Sequence, residues 1–381
     1  SMESLIPFFI VLVSAFLLPE VFYRFHIPWV AALIIGGILI GPFGLDLVAT
    51  EGMLRTLSDI GVIFLMFHVG LETKFRLRGR ERTEVSWTLL LNGLLPFGFV
   101  FVYMMLWGIG MVEAFMIGLM GIASSVAVIS PMLEEAGLVG KKTGRILLPA
   151  AIIMDVFALV VVTFVMEQLI SGEFSSGLLV SYLVLIPLVL ILKVIFVHTS
   201  IETFWQGFIE EKQYENELKV VVAFLIGMVL LFELLGVDLL LAGFFAGFLL
   251  SDMLRNPGME RKLHTVSYGI FIPIYFLYVG ASIEFPEFGL YDLLFVGGAV
   301  FVVTASKYVT GFLSGRKAGL SARKSQIFGL ITIPQLTTTV ALTQLGVRGG
   351  VFSIEVAAAM YALVLITSII VPILVELRTS H

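Results

Sequence analysis

The sequence predicts an all-α polytopic membrane protein. It has about 13 transmembrane helices in two inverted six-helix repeats, with two interrupted crossing helices. Three observations carry this prediction. Of 381 residues, 59% are hydrophobic and only 13% are charged, against about 25% charged in a soluble domain. Apolar runs of spanning length follow one another along the whole chain, and the basic loops between them alternate in side. Short motifs also recur roughly 210 residues apart.

A spanning helix needs about 20 apolar residues. The runs are 4–22, 27–45, 57–72, 86–108, 112–135, 146–168, 176–197, 217–235, 237–251, 266–283, 291–313, 325–346 and 351–376. Ser1 before Met2 reads as a residue left by tag cleavage. The first run lacks a basic leader and a small-residue cleavage site, so it reads as a retained span. "ETKFRLRGRER" follows the third run, and "GKKTGR" the fifth. "LRNPGMERK" follows the ninth, and "SGRKAGLSARK" the eleventh. Thirteen spans put all four loops on one side, leaving only Arg55 and Arg348 on the other. The positive-inside rule makes the basic side cytoplasmic, with the N-terminus outside and the C-terminus inside. That places the protein in a cell inner membrane or plasma membrane.

"GILIG" (37–41) is echoed by "GFLLS" (247–251), and "FHVGLE" from Phe67 by "LYVGAS" from Leu277. "SSVAV" (124–128) is echoed by "TTVAL" (338–342). An offset of seven spans inverts the second copy, so spans 1–6 and 8–13 read as inverted repeats joined by span 7. Such repeats mark secondary transporters, whose site lies at the midplane.

Span 5 holds "GIASSVAVISP" and span 12 holds "TIPQLTTTVALTQ". Both carry clustered hydroxyl residues and a proline, Pro131 or Pro334, and proline kinks or breaks a helix. In lipid a broken helix survives only inside protein or along a cavity. Two kinked helices packed through small residues are the plainer reading. The equivalent positions in the two repeats favour interrupted helices, whose oppositely charged half-helix ends meet at mid-membrane.

Asp155 lies inside the apolar run "PAAIIMDVFALVVV", about 14 Å from the cytoplasmic start of span 6. A charge there costs roughly 2.5–3.5 kcal/mol on the lenient insertion scale, so it reads as a site for a proton or a cation. Lys307, in "TASKYVTGF" of span 11, lies about 9 Å deep. It is the only strong intramembrane cation in this reading. Its partner is either Asp155 or a helix C-terminal end, and it compensates charge. Ser124, Ser125, Ser130, Thr337 and Thr338 supply further oxygens, with Asn92, Gln335 and Met154 in support.

The sequence contains no cysteine and carries a net charge of −5. Disulfides, thiolate chemistry and Cys-based metal sites are excluded, and nucleic-acid binding has no support. No nucleophile–base constellation appears, so an enzyme is not expected, and no cofactor is called for. His68 reads as a packed histidine rather than a pH sensor. Glu233 reads as reaching the outer interface. The segment 201–219 reads as a cytoplasmic surface helix and linker.

Taken in order, "FLMFHVGLE", "GIASSVAVISP", "IIMDVFAL", "ASKYVTG" and "IPQLTTTVAL" resemble the monovalent cation:proton antiporter-2 family over almost the whole chain. The resemblance implies a homodimer. Spans over 4–72 and 217–283 would form the scaffold and dimer helices, 86–168 and 291–376 a mobile core, and 176–216 the linker. It implies that Asp155 is the ion-binding aspartate, moved by an elevator-like motion, and that Lys307 is the embedded lysine. Met154 stands where electrogenic members carry a second acid and others an amide, which points to electroneutral exchange. Leu336 and Thr337 stand where potassium-efflux relatives carry Gly-Glu. Those relatives often continue into a cytoplasmic nucleotide-binding regulatory domain, which this chain would then lack. Three functions compete: exchange of Na+ or K+ for H+, a ligand-gated potassium-efflux channel-like protein, and a sodium-coupled organic-anion transporter.

Overall fold

The computed structural model describes residues 2–24, 27, 29–72, 81–138, 140–170, 177, 180, 183–184, 187–189, 191, 193–194, 216–234, 239–251, 257–283 and 289–379. Most of the expected seventh span, 176–197, and the expected linker through 215 lie outside the described residues.

Every regular element among the described residues is helical. The helices are α1 (Met2–Tyr23), α2 (Trp29–Ile40), α3 (Met53–Glu72), α4 (Glu81–Leu106), α5 (Met111–Ile122), α6 (Val126–Glu135) and α7 (Lys142–Ile170). They continue as α8 (Asn216–Leu234), α9 (Leu239–Leu250), α10 (Pro257–Val266, Ser267–Phe271 and Ile272–Ala281), α11 (Leu290–Lys317), α12 (Ala322–Ile331), α13 (Thr337–Arg348) and α14 (Ile354–Thr379). Among the described residues six helices are long and apolar enough to cross a membrane: α3, α4, α7, α10, α11 and α14. The protein is thus a multi-pass membrane protein. α2, α5 and α9, each of 12 residues, are apolar but short, about 18 Å against a hydrocarbon core of about 30 Å.

Two helices carry a π turn, Leu90–Leu94 in α4 and Ser267–Phe271 in α10. Each lies just before a proline, Pro96 or Pro273. Proline lacks the N–H that the carbonyl four residues back would use, and its ring crowds that carbonyl. Widening the preceding turn relieves the clash.

The chain divides into two compact units. One comprises residues 1–25, 32–74 and 167–283. Within it α3 packs on α9 and α10, α8 on α9 and α10, and α1 on α10. Glycines let the backbones touch. A Cβ on Gly37 would collide with the Leu277 carbonyl and the Ala281 nitrogen, and one on Gly247 with the Phe67 carbonyl and the Leu71 nitrogen. All three positions of the second contact are those of the first shifted by 210 residues. His68 packs edge-on against His264 and Tyr268, with centroids 6.2 and 5.1 Å apart. Lys193 lies near the end of the expected seventh span. It donates to the Phe248 carbonyl and the Ser251 hydroxyl, both at 2.6 Å. It thereby covers the Phe248 carbonyl in the last turn of α9, where the helix runs out of its own donors.

The other unit comprises 26–31, 75–166 and 284–381. Within it α11 packs on α4, α12 and α14, α4 on α5, and α13 on α14. α11 is capped by Gly289, whose N–H donates to the Asp292 carboxylate at 2.9 Å. Its last turn carries Arg316 and Lys317, as the helix dipole favours. Ion pairs Glu84–Lys142 and Glu81–Arg145, each 2.7 Å, tie the first turns of α4 and α7 together. That fixes the bases of two helices that carry the site.

Candidate functional site

A short break separates α5 from α6, and another separates α12 from α13. The first break falls at Ala123–Ser125, not at Pro131 as the sequence reading expected. Pro131 lies inside α6. Ala123 is extended, with φ −55° and ψ 149°. The second break covers 332–336 and contains Pro334, as expected.

The two breaks are bonded to each other. The Ser125 N–H donates to the Pro334 carbonyl at 2.9 Å, and the Ser124 hydroxyl to the Thr332 carbonyl at 2.9 Å. Gln335 Nε2 donates to the Gly121 carbonyl at 3.0 Å. Gln335 Oε1 accepts from Thr339 at 3.0 Å. Backbone groups that lose their helical partners thus find one another across the crossing, as buried polar groups must.

Lys307 is fully buried. Its ammonium donates to the Ile122 carbonyl at 2.9 Å, the Ala123 carbonyl at 2.5 Å and the Ser124 hydroxyl at 2.6 Å. A cation therefore sits on the negative C-terminal end of α5. Of the two partners the sequence allowed, the helix end is bonded directly and Asp155 acts on the ammonium through space. No ion pair within 4.0 Å joins Lys307 to Asp155 among the described residues. Ser124, expected as an oxygen ligand, has its hydroxyl committed to Thr332 and Lys307.

Asn92 sits in the π turn of α4 and is fully buried. Its Nδ2 donates to the Lys307 carbonyl at 3.0 Å and to the Thr310 hydroxyl at 2.9 Å, with Thr332 at 3.4 Å. Thr310 already donates to the Ser306 carbonyl and Thr332 to the Gly329 carbonyl, both at 2.7 Å. The Lys307 carbonyl can only accept and Thr310 already donates elsewhere, so these two take the two amide hydrogens, which fixes the orientation of the amide. Thr310, Thr332, Thr339 and Thr367, whose hydroxyl accepts from the Gln335 N–H at 3.3 Å, were not singled out from sequence. Thr310 is signalled only by standing three residues after Lys307 on the same helix.

Asp155 is 4% exposed, midway along α7. Its Oδ2 accepts from the Thr338 hydroxyl at 2.7 Å. Thr338 lies in the first turn of α13, whose free N–H groups favour an anion. Asp155 Oδ1 is buried without a hydrogen-bond partner, and so is the Ser125 hydroxyl. Thr337 and Met154 are buried beside them in sequence, each 4% exposed. The Ser130 side chain lies outside the described residues. The structure therefore links Asp155 to Thr338, and Lys307 to Ser124 and Asn92. Among the described residues no three acidic or histidine side chains cluster as a metal site. The arrangement offers one carboxylate oxygen for a proton or a small cation.

The chain resembles known proteins in both sequence and fold. The family model for the sodium/hydrogen exchanger, transmembrane, matches residues 10–377. A probable Na(+)/H(+) antiporter 3 of Methanocaldococcus jannaschii is 28% identical over 374 residues, covering 97% of this chain and 95% of that protein. A Na(+)/H(+) antiporter of Enterococcus hirae is 26% identical over 373 residues, covering 97% of each. Among solved structures, the sodium proton antiporter MjNhaP1 from M. jannaschii superposes with a TM-score of 0.70 at 17% identity, over 98% of this chain and 95% of that one.

Proposed function

The chain belongs to the sodium/hydrogen exchanger family, and from that premise we propose that it exchanges Na+ or K+ for H+ one for one, with Asp155 as the shared carrier. It is a membrane transporter, not an enzyme. The observation that carries the reading is the buried Asp155 carboxylate, held at one oxygen by Thr338 and unpartnered at the other. A proton on Oδ1 makes the group neutral. When the proton leaves, a dehydrated monovalent cation takes its place, with Ser125, Thr337 and Thr338 as neighbouring oxygens. A buried charge without a partner is costly, so occupancy alternates rather than resting empty. Lys307 stays on the end of α5 and compensates charge, while Asn92 and Gln335 hold the crossing together.

Met154 cannot ionise, so the carrier moves the same charge outward and inward and the cycle is electroneutral. We assign the carrier to a mobile core of 86–168 and 291–376 and the scaffold to 4–72 and 217–283. The division of the chain into two compact units along similar segments supports this assignment. The 210-residue shift between the Gly37 and Gly247 contacts supports inverted repeats and thirteen spans. The protein would act as a homodimer in a plasma or inner membrane, with its N-terminus outside. The test is dissipation of a pH gradient in proteoliposomes, with Na+ and K+ supplied in turn. The unmodified protein dissipates it with at least one of them. Asp155→Asn, which keeps the shape, abolishes the flux while the protein stays folded. Full cation-dependent flux in that variant overturns the assignment.

A further inference from the structure

A crevice opens between α4, α5 and α7, with a volume of about 330 Å3. The π turn of α4 shapes it, because Gly93 leaves its floor bare. A Cβ built on Gly93 would meet only the Met154 sulfur, at 4.0 Å. Met154 and Ile122 close the back. At the mouth, Leu94 is 63% and Phe157 52% exposed. Every lining side chain is apolar. Met154 lies near the middle of the 29-residue α7, so the crevice opens near the middle of a bilayer about 30 Å thick in hydrocarbon.

Water has nothing to bind there, because a buried water needs two to four polar partners. Cavities lined by Leu, Ile and Phe stay dry and take up hydrocarbon instead. In a membrane the hydrocarbon at hand is the lipid chain. The geometry points to a binding site for one acyl chain of a membrane lipid, seated against Met154 and Ile122. Met154 immediately precedes Asp155, and the Ile122 carbonyl holds Lys307. The chain therefore completes the packing directly behind both charged groups. This inference rests on the apolar lining and the membrane location, not on the exchange reading.

The sequence has no cysteine, so a single one reports cleanly. Leu119 lines the crevice, whereas Met120, on the same helix, is fully buried and does not. Leu119→Cys and Met120→Cys each receive a trifluoromethyl probe, in nanodiscs of phosphatidylcholine carrying a nitroxide at the chain end. The expected result is fluorine relaxation several-fold faster at 119 than at 120. Adding Gly93→Leu, whose side chain grows into the crevice, brings 119 down to the level of 120. Equal relaxation at the two sites with Gly93 intact overturns the proposal. So does relaxation at 119 that survives Gly93→Leu, or that comes more strongly from a water-soluble nickel chelate. The comparison of 119 with 120 needs no change at Gly93, so it decides even where Gly93→Leu does not fold.

Discussion

Replacing Lys307 by Met removes three donated hydrogen bonds while keeping much of the side-chain volume. The Ile122 and Ala123 carbonyls are then left bare inside the protein, while Ser124 keeps its bond to Thr332. Each buried group left unsatisfied costs about 1–3 kcal/mol, so the two carbonyls cost about 2–6 kcal/mol together. The uncovered end of α5 adds a fraction of the roughly 2 kcal/mol that a well-placed cation contributes. Relief from burying an ammonium acts the other way and offsets part of this, leaving a net loss of about 2–4 kcal/mol. Lys307→Gln keeps an amide that donates, so it should recover about 1–2 kcal/mol relative to Met. Equilibrium unfolding in mixed lipid–detergent micelles measures all three proteins. The expected order is Lys, then Gln, then Met, with the ion ratio unchanged wherever Lys307→Gln still transports. A Met variant as stable as the original, or a Gln variant no better than Met, would refute the role of Lys307 as the cap of α5.

Thr338→Val conserves shape but removes the hydroxyl held by Asp155; hydrogen bonds to charged groups are worth about 1.5–3 kcal/mol, so cation-driven exchange should slow by about tenfold or more. An unchanged rate would separate Thr338 from the site. Asn92→Asp should destabilise more than Asn92→Leu in thermal unfolding, because it turns a donor into an acceptor facing the Lys307 carbonyl; the reverse order would show the amide placed the other way round. Gly37→Ala and Gly247→Ala should lower stability by similar amounts, since each drives a Cβ into a neighbouring backbone carbonyl. A large effect at one and none at the other would contradict equivalent packing at these two positions.

Asp155 and Lys307 stand out in the sequence because ionisable residues are rare in apolar runs. The two interrupted helices are legible for a related reason, since hydroxyl clusters and proline fit poorly into lipid-facing helix. The point of interruption in span 5 is not legible. It sits at Ala123–Ser125 because Lys307 and Pro334, both more than 180 residues away, satisfy its backbone. Pro131, the local signal, is accommodated within α6. The partner of Lys307 is hidden for the same reason, because a carbonyl at a helix end has no sequence signature. Asn92 shows only as a polar residue in an apolar span; its inward aim depends on a π turn set by Pro96 four residues later. The paired glycine contacts of α2 and α9 are encoded in a 210-residue shift, which becomes specific only once the backbones are seen to touch.

The claim that one carboxylate carries either ion is tested most directly by the voltage dependence of transport. Reconstituted protein exchanges Na+ or K+ for H+ at fixed ion gradients, first with the membrane potential clamped at zero and then at a large value. A two-for-one exchange moves one net charge, worth about 2.3 kcal/mol per 100 mV, and its rate would follow the potential. With Asp155 as the single carrier, the rates at the two potentials agree and no net current flows at zero potential. Rates that track the potential, or a current at zero potential, would contradict the account and require a second proton carrier.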